Sequence, residues 1–226
     1  EDCQIAHFPG RGIYANFLIG GPASGMDFIR NLVLECGATL GVPNAEFRYC
    51  NDSRWEGNQY GGKVGGPYAT IGAYHFSCQA SDFGPSNYHW EHTVCAKYEN
   101  CDYSRFTAQR WEEAQTNGVQ FLNMIKWNMT GCHVHTNSKA SSGTHDGMIL
   151  TTCALATISG GNQFYSFSAT NVRDSIQIVN DCSSIIVADN VYSGFTRRPV
   201  TWDRTTFAIQ LQGNLPTGYA INQIFP

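Results

Sequence analysis

Nine cysteines are scattered singly through this chain of 226 residues: Cys3, Cys36, Cys50, Cys78, Cys95, Cys101, Cys132, Cys153 and Cys182. None forms a Cys-x-x-Cys pair, so the core spacing of a zinc ribbon or a thioredoxin-type motif is missing. Dispersed cysteines in a Gly- and Tyr-rich chain read as disulfides closed in an oxidising compartment, which predicts a secreted, bridge-stabilised protein. The sequons Asn51-Asp52-Ser53 and Asn128-Met129-Thr130 agree with secretion and mark Asn51 and Asn128 for glycosylation. Cys95 and Cys101, enclosing only "AKYEN", are the pair expected to bond. An odd count leaves one thiol for an intermolecular disulfide.

Charge narrows the partners. Only 14% of residues are charged, and the formal net charge of −4 offers no basic field for a phosphate backbone, so nucleic-acid binding is not expected. No apolar run approaches the roughly 20 residues of a membrane-spanning helix. The chain begins at Glu1 rather than Met, so a targeting peptide is expected to have been removed or to lie outside this sequence.

Periodicity predicts helices in the first half. In "SGMDFIRNLVLECG", Ser24 and Asp27 have capping-box spacing, and Phe28, Ile29, Leu32, Val33 and Cys36 fall on one helical face before Gly37. A second helix is expected after Ser104, carrying Phe106, Trp111, Ala114, Phe121 and Leu122. From Lys126 onward alternation takes over, as in "SIQIV" and "FAIQLQG". No internal repeat is evident. The expected class is α+β: helices in the N-terminal half and an antiparallel β-sandwich or barrel in the C-terminal half, disulfide-stabilised. This divides the chain into a loop-rich mixed α/β part, residues 1–125, and a β-rich part, residues 126–226, which could form one continuous domain.

The stretch "CHVHTNSKASSGTHDG" holds three of the seven histidines. On a strand, His133 and His135 share a face because side chains alternate with period two. If "TNSKASSG" is a hairpin turn, one register adds His145 for a zinc-like three-histidine set. The other adds Asp146, giving two histidines and a carboxylate, which suits Fe(II). Zinc or iron is therefore the cofactor such a site would hold. Cys132 beside it is expected to anchor the strand through a disulfide.

A second concentration, "YHWEHTVC", offers His89, Glu91 and His92 as a general acid/base group, weighed against a partly buried aromatic patch. Glu112 and Glu113, adjacent on the expected second helix, do not share a face and read as a solvated edge. Aromatic residues make up 13% of the chain, and Trp55, Tyr60, Tyr68, Tyr74, Tyr88 and Trp90 sit among Gly and Asn, as on a surface that recognises sugars or proteins.

The leading function is a secreted binding or effector-type protein: a toxin, a virulence or defence factor, or a module recognising a cell-surface glycan or protein. The alternative is a secreted hydrolase or other enzyme using His133 and His135 with His145 or Asp146, with or without a metal. A structural matrix component is the third reading. No nucleophile elbow, phosphate loop or dinucleotide fingerprint is present.

Overall fold

The strands are short because the chain turns a corner every few residues. The computed structural model describes residues 1–17, 23–166, 172–213 and 215–216. Within them the chain winds as a parallel β-solenoid of about 7 turns. Each turn lays one strand in each of three parallel sheets. Sheet 1 has nine strands and includes Arg110–Glu112 and His133–His135. Sheet 2 has eight and includes Val119–Leu122; sheet 3 has eight and includes Arg105–Thr107. Every strand pairs in parallel with those one coil before and after, at the usual spacing of about 4.8 Å.

Three features of the chain produce this path. The corner from sheet 3 to sheet 1 turns on one residue in the left-handed region at Arg30, Gly57, Ser86, Ala108 and Gly131, and on two, Gly160 and Gly161, one coil further on. The corner from sheet 2 to sheet 3 opens on a left-handed residue at Tyr49, Ser77, Asn100, Asn123, Thr152 and Asn180, and in most coils a second follows, as at Asp52, Ala80, Tyr103, Lys126 and Asp181. A buried ladder of amides then ties successive coils together. Asn58 Oδ1 accepts from the backbone N–H of Asn31 at 3.0 Å, and Asn87 Oδ1 accepts from Asn58 N–H at 2.9 Å. Gln109 and Cys132 take the next two places, and Asn162 Oδ1 accepts from Cys132 N–H at 2.8 Å.

Inward-facing rings fill the interior in stacks with the sheet's own period. On sheet 3, Phe28, Trp55, Phe83 and Phe106 stack at 5.2, 4.7 and 4.7 Å between centroids. On sheet 2, Phe47, His75, Tyr98 and Phe121 stack at 4.8, 5.0 and 5.4 Å. Offset stacking of this kind adds about 0.5–1.5 kcal/mol per pair beyond area burial.

The architecture corrects three expectations. Among the described residues there is no helix, hence none long and apolar enough to cross a membrane. The segment expected to be a first helix forms strands Asp27–Ile29 and Leu32–Leu34, with a left-handed corner at Arg30 between them. The second forms Arg105–Thr107, Arg110–Glu112 and Val119–Leu122. The C-terminal strands belong to the same parallel sheets instead of an antiparallel sandwich or barrel, and pairing continues unbroken across residues 125 and 126.

All nine cysteines are thiols, so the fold is not disulfide-stabilised. Cys95 points into the core from the strand Val94–Glu99, while Cys101 lies past its end, and extended backbone at about 3.3 Å per residue holds them apart. Eight of the thiols are buried and instead act as small core groups that donate weakly to carbonyls, as Cys78 Sγ does to Phe47 O at 3.6 Å. Cys132 is a ladder member, its sulfur accepting from Gln109 N–H at 3.4 Å, and no bridge anchors its strand.

Candidate functional site

Because side chains alternate, the outer face of sheet 1 carries two columns of residues, one pair per coil. One column runs Gln59, Tyr88, Arg110, His133, Gln163. The other runs Gly61, Trp90, Glu112, His135, Tyr165. Thus His133 and His135 do share a face, and parallel pairing puts Arg110 and Glu112 on one side of them and Gln163 and Tyr165 on the other.

The centre of this face is a carboxyl–imidazole dyad. Glu112 Oε2 meets His135 Nε2 across adjacent strands, and both side chains are almost fully buried. Arg110 Nη2 donates to the same carboxyl oxygen at 3.1 Å. On its other nitrogen, His135 Nδ1 lies 3.1 Å from Thr136 Oγ1. The Tyr165 ring is stacked on His135, 4.7 Å between centroids and 5° between planes, and meets His133 edge-on at 6.2 Å.

Burial governs the protonation of these groups. It pushes the Glu112 carboxyl up to about 7, with the neighbouring Glu113 adding to the shift. It brings the His135 imidazole down to about 4, helped by the Arg110 and His133 charges. Between about pH 4 and 7 both groups are therefore uncharged, the Glu112 carboxyl protonated and the His135 imidazole neutral. Burial, then Arg110, also lowers His133, which stays half-exposed and neutral at physiological pH. Burial raises the Tyr165 phenol while Arg110 opposes the shift, so the phenol keeps its proton.

The loop 136–147 folds beside this face. Lys139 Nζ bonds the buried Glu91 carboxylate and reaches Glu113 Oε2 at 3.4 Å. The backbone N–H groups of Ser138, Lys139 and Ala140 donate to Thr116, Ala114 and Gln115 of the previous coil at 2.9, 3.1 and 2.9 Å.

This loop overturns the hairpin. The chain leaves His135, rounds the corner and enters Met148–Thr151 in sheet 2, parallel to its neighbours, so no antiparallel register exists. Asp146 is buried at that corner, where Arg173 donates to both its oxygens at 3.0 and 2.6 Å. His145 is half-buried, its N–H on Ser138 Oγ at 3.2 Å. The residues present do not fit the expected zinc or iron site: among the described residues no three His, Cys, Asp or Glu side chains converge as a metal ion requires.

The other candidates divide. His89 points inward, stacked between Tyr60 at 4.8 Å and Trp111 at 6.4 Å. His92 is also buried, its Nε2 3.2 Å from Tyr60 O, and Glu91 is held by Lys139, so the three do not form an acid/base group. Trp55 and Tyr60 are core residues, each 1% exposed, and not a binding surface. Tyr68 is half-buried away from sheet 1, and Tyr74 lies on sheet 2, donating to Glu99 Oε2 at 2.8 Å. Tyr88 and Trp90 stand beside the dyad, ring centroids 4.5 Å apart, with the Arg110 guanidinium 4.8 Å over Tyr88. Asn128 is exposed on sheet 3, whereas Asn51 Oδ1 accepts from Gln79 N–H at 3.0 Å.

Arg110, Glu112 and Tyr165 escaped the sequence reading; Glu112 is a buried strand residue and not a solvated helix edge. A faint signal existed. Each sheet-1 strand follows an Asn, Gln or Cys and reads outward–inward–outward: "NYHW", "QRWE", "CHVH", "NQFY".

No protein-family model and no curated protein sequence matches the chain. Solved structures do match its fold. The periplasmic alginate epimerase AlgG superposes with a TM-score of 0.65 at 11% identity, over 85% of this chain and 51% of that one. An alginate lyase from Paenibacillus sp. str. FPU-7 gives 0.62 at 10% identity, over 94% and 76%. DFA-IIIase from Arthrobacter chlorophenolicus A6, without its lid, gives 0.67 at 13% identity, over 99% and 55%. The chain thus spans about half the length of the epimerase and of the DFA-IIIase.

Proposed function

We propose that this protein is a polysaccharide-modifying enzyme that moves a proton at a sugar carbon, with the outer face of sheet 1 as its active site. The observation that carries the reading is the convergence of Arg110, His133 and Tyr165 around the Glu112–His135 dyad. Solenoid neighbours whose names include alginate epimerase and alginate lyase support the reading by fold alone, so the chemistry rests on these side chains.

The substrate class proposed is a polymer containing uronic acid. Arg110 pairs with the sugar carboxylate and stabilises the enediolate that forms when the adjacent C–H loses its proton. The half-exposed, neutral His133 takes that proton. The electron pair then has two fates. It can form a C=C bond as the glycosidic oxygen leaves with a proton from Tyr165, which is elimination. Alternatively, Tyr165 can return a proton to the opposite face of the same carbon, which is epimerisation. The Glu112–His135 dyad holds Tyr165 in place by stacking and presents no net charge to the acidic sugar.

The test is incubation with polymannuronate and polygalacturonate, separately, in heavy water. Elimination is read by the ultraviolet absorbance of the conjugated double bond, and epimerisation by deuterium appearing at the sugar carbon in NMR. Activity with either polymer that is lost in His133→Ala and Arg110→Ala supports the reading. Silence on both readouts removes it and returns the non-catalytic glycan- or protein-binding reading drawn from composition.

A further inference from the structure

Trp90 is seated on a place its neighbour leaves empty. Gly61 is directly across from it in the preceding coil, and a Cβ there would overlap the six-membered ring of the Trp90 indole and Leu34 Cδ2. Gly61 needs no left-handed backbone, so nothing about its own conformation calls for glycine. What the missing side chain provides is room for the indole to lie against the sheet. Tyr88 packs beside it at 4.5 Å and 30°, and Arg110 fixes Tyr88 from the next coil. Trp90 stays half-buried and so still presents surface to solvent.

Rigid aromatic rings held against a backbone are platforms for the apolar face of a sugar ring. The spacing gives the platform a position relative to the proposed reacting group. Trp90 and His133 lie on strands two coils apart, with Arg110–Glu112 between them. At about 4.8 Å per coil, one coil is close to the length that one ring adds to an extended 1,4-linked chain.

We infer that Trp90, laid over Gly61, is a distal sugar subsite, binding the ring two residues along a polymer that runs parallel to the solenoid axis from the ring at His133. This rests on the polysaccharide reading above but makes a separate claim, about direction and spacing.

The test measures affinity by calorimetry for mannuronate oligomers of two to six residues, with neutral cello-oligosaccharides of the same lengths in parallel. In the unaltered protein, affinity rises from dimer to trimer. Trp90→Ala abolishes that rise, weakening trimers and longer chains about tenfold, near the upper end of what one stacked ring supplies, and leaves the dimer unchanged. Gly61→Ala, which displaces the indole while keeping it in the chain, gives the same pattern, and Trp90→Phe restores most of the rise. Circular dichroism confirms that each variant keeps its sheet content.

Equal weakening at every length, dimer included, overturns the two-coil spacing, and no weakening at any length overturns the subsite. The length pattern with cello-oligosaccharides alone upholds the subsite while overturning the acidic-polymer reading. Absence of binding for every oligomer overturns both.

Discussion

Glu112 and His135 come from strands one coil apart and meet carboxyl to imidazole under the ring of Tyr165. Burial moves their proton affinities towards each other and past, the carboxyl up to about 7 and the imidazole down to about 4. A surface pair would be ionised at neutral pH. Below about pH 7 this pair is uncharged beside Arg110, which suits the anionic substrate proposed above.

That protonation predicts a pH profile. Above about pH 7 Glu112 ionises and, under the proposed reaction, would set a negative charge beside the sugar carboxylate, so kcat/KM for polyuronate should fall. Glu112→Gln mimics the protonated carboxyl and should abolish the alkaline decline while retaining activity near pH 6. His133, held below its ordinary value, stays neutral on mild acidification, placing the acid limb below 6.5. An alkaline limb unchanged in Glu112→Gln would remove the dyad from catalysis.

The interior histidines predict acid sensitivity of the fold. Burial lowers His75 to about 3 and His92 to about 4, and takes His89 well below 6.5. The unfolded chain binds these protons near 6.5 and the folded one does not, so stability is fully present above that pH and is lost as pH falls towards the folded values. Each such histidine contributes a slope of about 1.4 kcal/mol per pH unit inside its window. Glu112 acts with the opposite sign between its unfolded and folded values, so comparison with a variant isolates one histidine. His75→Phe keeps the stack on Phe47 and Tyr98, and urea unfolding between pH 4.5 and 6.5 should show a slope reduced by one proton.

The amide ladder predicts a local cost. Asn58 accepts from Asn31 N–H and donates to Phe28 O at 2.7 Å, fully buried. Asn58→Ala leaves these groups unpaired between coils and should destabilise the protein by about 2–3 kcal/mol. The measurement is urea unfolding at neutral pH.

Lys139 predicts a coupled pair. Its side chain is 29% exposed, yet that of its partner Glu91 is 2% exposed. Lys139→Met removes that carboxylate's cation and leaves it only the Gln115 Nε2 donor at 3.4 Å, at a cost of about 1–2 kcal/mol after allowance for solvent on the lysine side. Amide hydrogen exchange should quicken at residues 138–140, and adding Glu91→Gln should recover much of the loss. A double variant no better than Lys139→Met alone would show that the two do not act as a pair.

The cysteines predict an absence of bridges. Thiol titration in denaturant without reductant should find nine per chain, and reductant should leave the melting temperature unchanged.

The sequence showed real relationships through the wrong frame. Phe28, Ile29, Leu32 and Val33 recur at helical spacing, yet Phe28 faces the interior from sheet 3 and Val33 from sheet 1, on either side of a corner. Strands of three residues joined by two-residue corners, such as Arg30-Asn31, imitate a 3.6-residue period locally. Arg30, Ser86 and Ala108 hide those corners, since a left-handed residue is usually expected to be Gly or Asn. The repeat is hidden in the sequence because the loops after sheet 1 vary in length and blur its period.

By itself the sequence determined that His133 and His135 share a face, because alternation along a strand is a local property. It likewise singled out Tyr88 and Trp90, which stand half-buried side by side on the outer face of sheet 1. Only the tertiary structure decided that Arg110, Glu112 and Tyr165 stand beside those histidines and that His145 and Asp146 do not. Parallel pairing joins residues a whole coil apart, and no local pattern encodes which coil is adjacent. Burial then set the charges, leaving His135 a neutral imidazole beside the raised Glu112 carboxyl. That step depends on how much water the packed coils exclude, which three-dimensional packing alone fixes.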